Sequence, residues 1–390
     1  MEYQMSMMAG LAGSPSGHLV NTIYGHEAFV PDYLPRTVEL NSELIFLLGE
    51  ATAVVGKLAG VGETLPNPQL LIRPFVNNEA VSSSRIEGTV ASISDLYRYQ
   101  ASGKRRADVL EIVNYVRALD HGLEQLQSLP ICVRLMNQMH AILLSGEVRG
   151  SDKMPGNLRT GPVWIGQEET PVELARYVPP PPDRVSDLLL DLERFINDPD
   201  VRIPPLIQCA FIHYQFEAIH PYFDGNGRIG RLLIIMFLCA KGVLTSPLLY
   251  LSAYFERHRQ QYYDLLFSVS EKGDWTSWIE FFLLGVKEQA DDALEKVRKL
   301  RDLKDEFVTK LNERGASGNS LRLLDELFAM PMVTIPYAAK VLGISVSGAR
   351  LILESFCHDY GILDQVFDEW PRVYIMSEVF NLQANQSSAV

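Results

Sequence analysis

The 390-residue sequence is short of several things. It has four cysteines, Cys132, Cys209, Cys239 and Cys357, scattered through apolar surroundings at spacings that suit neither a zinc site nor a disulfide framework. Buried thiols in a reducing cytoplasm are the expectation. Positive charge is also scarce: 35 Lys and Arg against 48 Asp and Glu leave a formal net charge of −13, which argues against non-specific nucleic-acid binding. No apolar run is expected to approach a membrane span. The start lacks the basic-then-apolar order of a signal peptide, and Met1 to Met8 read as a frayed end. What is present is an ordinary globular composition, 47% hydrophobic and 21% charged, with length for two or three domains.

Chemistry concentrates in His220-Pro221-Tyr222-Phe223-Asp224-Gly225-Asn226-Gly227-Arg228-Ile229-Gly230-Arg231, which precedes the apolar run Leu232 to Leu238. That run reads as a buried helix, so the polar residues lie on a loop feeding a helix N-terminus. Unpaired N–H groups and the positive end of the helix dipole make such an N-terminus an anion site. Arg228 and Arg231 add fixed charge suited to phosphate oxygens. Asp224 has the chemistry to hold a magnesium ion shared with those phosphates. His220 is the one group there whose unperturbed pKa suits proton transfer near neutrality. Together they imply a phosphate-handling enzyme with a histidine base. Two rivals fail on context. Gly225 to Gly230 fits G-x-G-x-x-G, but the preceding Leu206 to Ile219 is patterned as a helix, and no acid lies near Tyr250. The acidic alternation and final glutamate of an EF-hand are missing.

The same stretch resembles the signature of the Fic family, H-x-F-x-D/E-G-N-G/K-R-x-x-R. His220, Asp224, Gly225, Asn226, Gly227, Arg228 and Arg231 match, and Tyr222 stands where the family usually has phenylalanine. The exchange keeps an aromatic ring to anchor the loop. The resemblance implies transfer of AMP from ATP, with Mg²⁺ on Asp224, to a Tyr, Ser or Thr hydroxyl of a protein target or of the chain itself. Gly225, Asn226, Gly227, Arg228 and Arg231 would hold the phosphates, and His220 would be the base. Removal of AMP, or use of another nucleotide, by the same site stays open.

Upstream, apolar spacing predicts a helix over 37–58, stopped at Gly60-Val61-Gly62, then a turn at Leu65-Pro66-Asn67-Pro68 and a second helix from about Leu70. Gly88 caps that second helix and leaves Glu87 at its C-terminal end, where the helix dipole disfavours an acid. A solvated glutamate is one reading. The other is a resemblance to the inhibitory motif S/T-x-x-x-E-G/N of Fic proteins, carried by Ser83, Glu87 and Gly88; it implies that Glu87 pairs with Arg231 and blocks placement of the ATP γ-phosphate. Lys104-Arg105-Arg106 reads as a solvated turn, followed by helices over 108–126 and 131–144, the latter with His140 as a core or boundary residue.

From Pro155 to Pro182 the helical pattern lapses. Val163, Trp164, Ile165 and Gly166 form a short extended segment, and Tyr177 to Pro182 return to the core. This is either a connecting hairpin or, by resemblance, the Fic flap, whose open edge docks the target by strand addition. Helices follow over 185–197 and 206–219. A helix beginning at Leu248 is rich in aromatics; by resemblance one of Tyr262 and Tyr263 reaches the adenine, while core packing is the default for both. A closing helix starts at Trp275, a charged helical connector covers Asp291 to Arg314, and Gly315-Ala316-Ser317-Gly318 reads as a hinge.

The expected architecture is all-α: N-terminal arm and helices over 1–100, a catalytic core with a hairpin flap over 101–290, a connector over 291–317, and a module over 318–390. Two short helices broken at Gly343, with strands at Gln365 to Phe367 and Val373 to Ile375, resemble a winged helix-turn-helix. Arg350 is the lone base on its second helix before Glu354, so protein docking or dimerisation is preferred to DNA binding. A nucleotide-sensing DNA-binding regulator is the alternative from another functional class.

Overall fold

The computed structural model describes residues 7–64, 68–103, 106–166, 171–366 and 371–384. The expectations for Met1 to Ser6, for the turn at Leu65-Pro66-Asn67, for Lys104-Arg105 and for Phe367 lie outside the described residues.

Where the sequence predicts an arm, the chain forms an antiparallel hairpin of β1 (Gly17–Asn21) and β2 (Glu27–Pro31), with Gly17 opposite Pro31. Ala28, Phe29 and Val30 of β2 are buried, and the Phe29 N–H donates to the Val178 carbonyl (2.8 Å). The hairpin is thereby laid against the returning limb of the flap.

Helix α1 (Ser42–Thr64) runs through the glycines expected to stop it. Each interior glycine costs about 1 kcal/mol relative to alanine, but Leu44, Ala51, Val54, Val55 and Leu58 form a buried stripe, and tertiary packing outweighs propensity. Over residues 42–62 this helix is also long and apolar enough, by length and composition, to cross a membrane, with a mean hydropathy of 1.7 and 28% of the window buried; the expectation of no such run is corrected.

Next come α2 (Pro68–Ile86), α3 (Ile93–Ser102), α4 (Ala107–Gln125) and α5 (Val133–Leu143). Helix α3 was not foreseen, although Ser92 and Asp95 form a reciprocal capping box at its start. Beyond the flap lie α6 (Pro182–Asn197), α7 (Pro205–Ile219) and α8 (Asn226–Ala240). Nearly every side chain of α7 and α8 is buried, so these two helices hold the signature loop from inside the core. The aromatic helix divides into α9 (Ser252–Arg257) and α10 (Arg259–Lys272).

The closing helix and the connector are one element, the 39-residue α11 (Trp275–Glu313). Its apolar positions continue at helical spacing past the charges. Val286, Ala290, Ala293 and Leu294 belong to the first core, while Val297, Leu300, Phe307 and Leu311 belong to a second. That second core carries α12 (Gly318–Ala329), β3 (Met332–Thr334), α13 (Ile335–Leu342), α14 (Val346–His358), β4 (Asp364–Val366), β5 (Val373–Ile375) and an unforeseen α15 (Ser377–Gln383). Its sheet has the antiparallel order β3-β5-β4; β4 and β5 fall where the sequence predicts strands, and β3 was not foreseen. The module is fastened to the N-terminal helices. The Thr334 hydroxyl donates to the Ala101 carbonyl (2.9 Å), Tyr97 Oη donates to Gln383 Oε1 (2.7 Å), and Asn78 Nδ2 donates to the Gln383 carbonyl (2.5 Å).

Candidate active site

His220 is the C-cap of α7 and adopts a left-handed backbone, φ 49° and ψ 62°. For a residue with a Cβ that conformation costs about 1–2 kcal/mol, so neighbours must enforce it. The last carbonyls of α7 are taken up by the flap and its root: Tyr177 Oη donates to Ala218, and Arg159 donates to Ile219 and His220. Burial, with the Arg159 cation adding to it, pushes the His220 imidazole down to about 4, so the ring is neutral at physiological pH and free to accept a proton.

The loop is held shut by side chains that sequence reading had placed elsewhere. Asn226 accepts the Tyr222 N–H at Oδ1 (2.8 Å) and donates through Nδ2 to the Tyr222 carbonyl (2.9 Å), so its amide staples the loop and does not point at a phosphate. The Tyr222 ring is buried, donates to Asn137 Oδ1 (2.8 Å) and stacks on His140 with centroids 3.8 Å apart, the expected anchor. His140 Nδ1 accepts the Gly156 N–H (2.9 Å), which leaves Nε2–H to donate to the Asp224 carbonyl (2.9 Å). Burial pushes this ring down to about 4 and keeps it neutral. His140 is therefore a loop clamp as well as a core residue.

Asp224 Oδ1 accepts from the Gly225 N–H (2.5 Å) and from Arg228 Nη2 (3.2 Å). Arg228 is fully buried, with Glu111 Oε2 3.7 Å from Nη1, and its Nε and Nη1 have no hydrogen-bond partner. Buried guanidinium donors left unpaired fit a ligand that brings anionic oxygens.

Arg231 is as deeply buried and is engaged by α2 and its cap through Nε and Nη2. It donates through Nε to Ser83 Oγ (2.8 Å) and through Nη2 to the Ser83 carbonyl (2.9 Å) and to Glu87 Oε1 (2.7 Å). Burial alone would raise the Glu87 pKa, but the Arg231 ion pair and the Arg228 charge outweigh it and hold the carboxyl below its usual range. Besides Arg85 in the last turn of α2, Arg149 brings a cation to this helix end, its Nη1 donating to the Glu87 carbonyl (2.7 Å). Gly88 follows at φ 93°, the left-handed cap that its position implies. A Cβ built on Gly227 would lie 2.2 Å from Glu87 Oε1. The glutamate thus rests against the first turn of α8, where the helix N-terminus favours an anion.

The flap is sparse. Ile165 and Tyr177 form one antiparallel bridge, the Ile165 N–H donating to the Tyr177 carbonyl (2.8 Å). Val163 is half-buried, while Trp164, Ile165 and Gly166 are exposed. The two tyrosines separate. Tyr262 is 1% exposed and its hydroxyl lies 2.8 Å from His213 Nε2; His213 Nδ1 faces the Gly230 carbonyl (3.1 Å), so Tyr262 is the donor and is locked in the core. Tyr263 is partly exposed, its ring tilted against Tyr262 with centroids 5.2 Å apart. Glu217, unremarked in the sequence, is raised to about 8 by burial close to Arg231, and its Oε1 has no partner.

Fold and site define a mostly helical protein with two small sheets and a histidine-headed loop feeding a helix N-terminus suited to an anion. Comparison with known proteins puts a family to that arrangement. Residues 45–124 match the Fic/DOC family N-terminal domain and residues 130–238 match the Fic/DOC family domain. Over these two regions, just under half of its length, the chain is similar to the Fic/DOC family. It is 33% identical over 122 residues to a protein adenylyltransferase Fic of Culex quinquefasciatus, covering 31% of this chain and 23% of that protein. With the Aedes aegypti protein of the same name it shares 32% identity over 127 residues, 32% of this chain and 22% of the relative. The chain thus spans about a quarter of the length of these relatives. The fold is also that of a Fic family protein from Desulfovibrio desulfuricans, with a TM-score of 0.56 at 20% identity over 88% of this chain and 98% of the other.

Proposed function

We propose that the chain transfers AMP from ATP to a Tyr, Ser or Thr hydroxyl of a protein, and that Glu87 holds this activity in check. The observation that carries the reading is the neutral His220 at the head of a loop that leads into the α8 N-terminus, with Arg228 and Arg231 beside it. The name protein adenylyltransferase borne by the relatives supports the same reaction class.

In this reading the phosphates of ATP lie against the first turn of α8 and the two arginines. His220 takes the proton from the incoming hydroxyl as its oxygen bonds to the α-phosphorus, and pyrophosphate leaves. Positioning and charge stabilisation supply most of the acceleration. Asp224 fits a magnesium ion: Oδ1 is engaged within the loop, Oδ2 shares in neither of those bonds, and magnesium typically needs one or two carboxylates beside the substrate phosphates. Bound there, it would neutralise phosphate charge. Among the described residues no group of three or more His, Cys, Asp or Glu forms a separate metal cage.

The test is mass spectrometry of the full chain carrying Glu87→Gly, incubated with ATP, magnesium and lysate. A protein gaining the mass of AMP on a hydroxyl residue, and not doing so when His220→Ala is added, is the expected result. Loss of AMP from an already modified protein would reverse the direction proposed, and no change of mass in either direction would refute it.

A further inference from the structure

Arg159 is 2% exposed and, among the described residues, pairs with no carboxylate. A buried cation without a counter-ion needs a full set of acceptors. Arg159 finds them in carbonyls alone. Nε donates to His220 (2.8 Å), Nη2 to Ile219 (3.3 Å) and to Pro180, and Nη1 to Gly161 (3.3 Å). Its backbone N–H donates to the Pro221 carbonyl (3.0 Å). Gly161 lies where the flap departs and Pro180 where it returns; Ile219 and His220 end α7. One planar guanidinium therefore fixes three chain segments, and it does so at the negative end of a helix, where a cation is favoured.

We infer that Arg159 is a positioning residue of this site, joining both roots of the flap to the left-handed His220 and so setting the imidazole relative to a docked hydroxyl. The inference rests on His220 being the base. The flap would carry the docking edge and His220 would remove the proton; among the described residues, the hydrogen bond between the flap and the end of α7 that does not involve Arg159 is Tyr177 Oη to the Ala218 carbonyl. Arg159 touches neither the α8 N-terminus nor Arg228 and Arg231, so its role is separable from nucleotide binding. The charges facing His220 are Arg159 from the root of the flap and Glu87 from α2, with the Glu217 carbonyl of α7 beside the ring.

The experiment compares Arg159→Lys and Arg159→Met in the full chain carrying Glu87→Gly. Both variants are expected to bind ATP within about twofold of the parent yet label the target roughly 10- to 100-fold more slowly. Lysine does not rescue the rate, because one ammonium cannot span four carbonyls. Histidine-selective NMR gives a second readout: Arg159→Met raises the His220 titration midpoint, and Arg159→Lys raises it less. Labelling within about twofold of the parent in both variants would overturn the inference, as would a loss of ATP affinity in proportion to rate. If the parent transfers no AMP, the proposed function fails and the titration decides for Arg159: an unchanged midpoint in Arg159→Met sinks it. If the methionine variant does not fold, the lysine variant carries both measurements.

Discussion

Arg231 Nη2 lies 2.7 Å from Glu87 Oε1, and Nε of the same guanidinium donates to Ser83 Oγ. One side of the signature is thus bound by the helix that precedes it in sequence. A charge-assisted bond of this kind is worth about 1.5–3 kcal/mol, so Glu87→Gly should raise target labelling by roughly 10- to 100-fold. Ser83→Ala removes a weaker neutral partner and should raise it only a few-fold. The Glu87 carboxyl is held below its usual range by Arg231. A depressed acid keeps its pairing above its unfolded value and loses it only as the pH falls through the folded one. The ratio of Glu87→Gly to wild-type labelling should therefore stay flat between about pH 6 and 7.5, and a steep rise of wild-type activity across that window would contradict the pairing.

His140 and Asn226 hold the loop from opposite sides, one through the Asp224 carbonyl and the other through both backbone groups of Tyr222. His140→Phe preserves the stack on Tyr222 but leaves the Gly156 N–H and the Asp224 carbonyl unpaired, a cost of about 1–3 kcal/mol in each case where burial is complete. Denaturant unfolding should show a loss in that range, with labelling reduced further than stability alone explains. Unchanged stability would mean that the loop is held without this clamp.

Much of this site was legible in the sequence, and the exceptions share a cause. The signature announced itself because its histidine, carboxylate and arginines are close together on one loop and the helix it feeds, and Glu87 was singled out because its motif lies along one helix and its cap. Arg159, Glu111 and Arg149 were passed over, and His140 was read as a core or boundary residue alone, since their partners are backbone groups or charged side chains far away in sequence, and spacing carries no trace of that. Helix positions followed apolar periodicity well. Their ends did not: α1 continued through Gly60 and α11 through the charged stretch from Asp291, in both cases because packing against distant helices outweighed local propensity. The strands β1 and β2 were missed because a hairpin of five-residue strands is decided by what covers it, here Val178 and the core below Phe29.

Glu217 gives a pH signature of its own. Its folded pKa is raised to about 8 by burial, above an unfolded value near the ordinary carboxylate range. The folded state then holds a proton that the unfolded state releases, so this residue's contribution to stability falls as pH rises from about 4.5 to 8. Glu217→Gln should raise the Tm at pH 8 and leave it nearly unchanged at pH 5. An equal shift at both pH values would show that the carboxyl is not protonated in the fold.

Tyr262 and Tyr263 divide by burial, the first buried and the second partly exposed. Tyr262→Phe strands the buried Nε2 of His213, costs about 1–3 kcal/mol of stability, and should leave ATP affinity alone. Tyr263→Ala should weaken ATP binding several-fold with little loss of stability. Calorimetric titration together with thermal unfolding separates the two, and the reverse assignment would place the adenine in the core.

The account turns on AMP, and not another part of ATP, passing through His220 once Glu87 lets go of Arg231. The most direct measurement follows two labels into the full-length Glu87→Gly protein and its target, one on the α-phosphate of ATP and one on the γ-phosphate. The predicted result is stable incorporation of the α label alone, cut by at least about 10²-fold when His220→Ala is added. Incorporation of the γ label, or α labelling indifferent to His220, would contradict it.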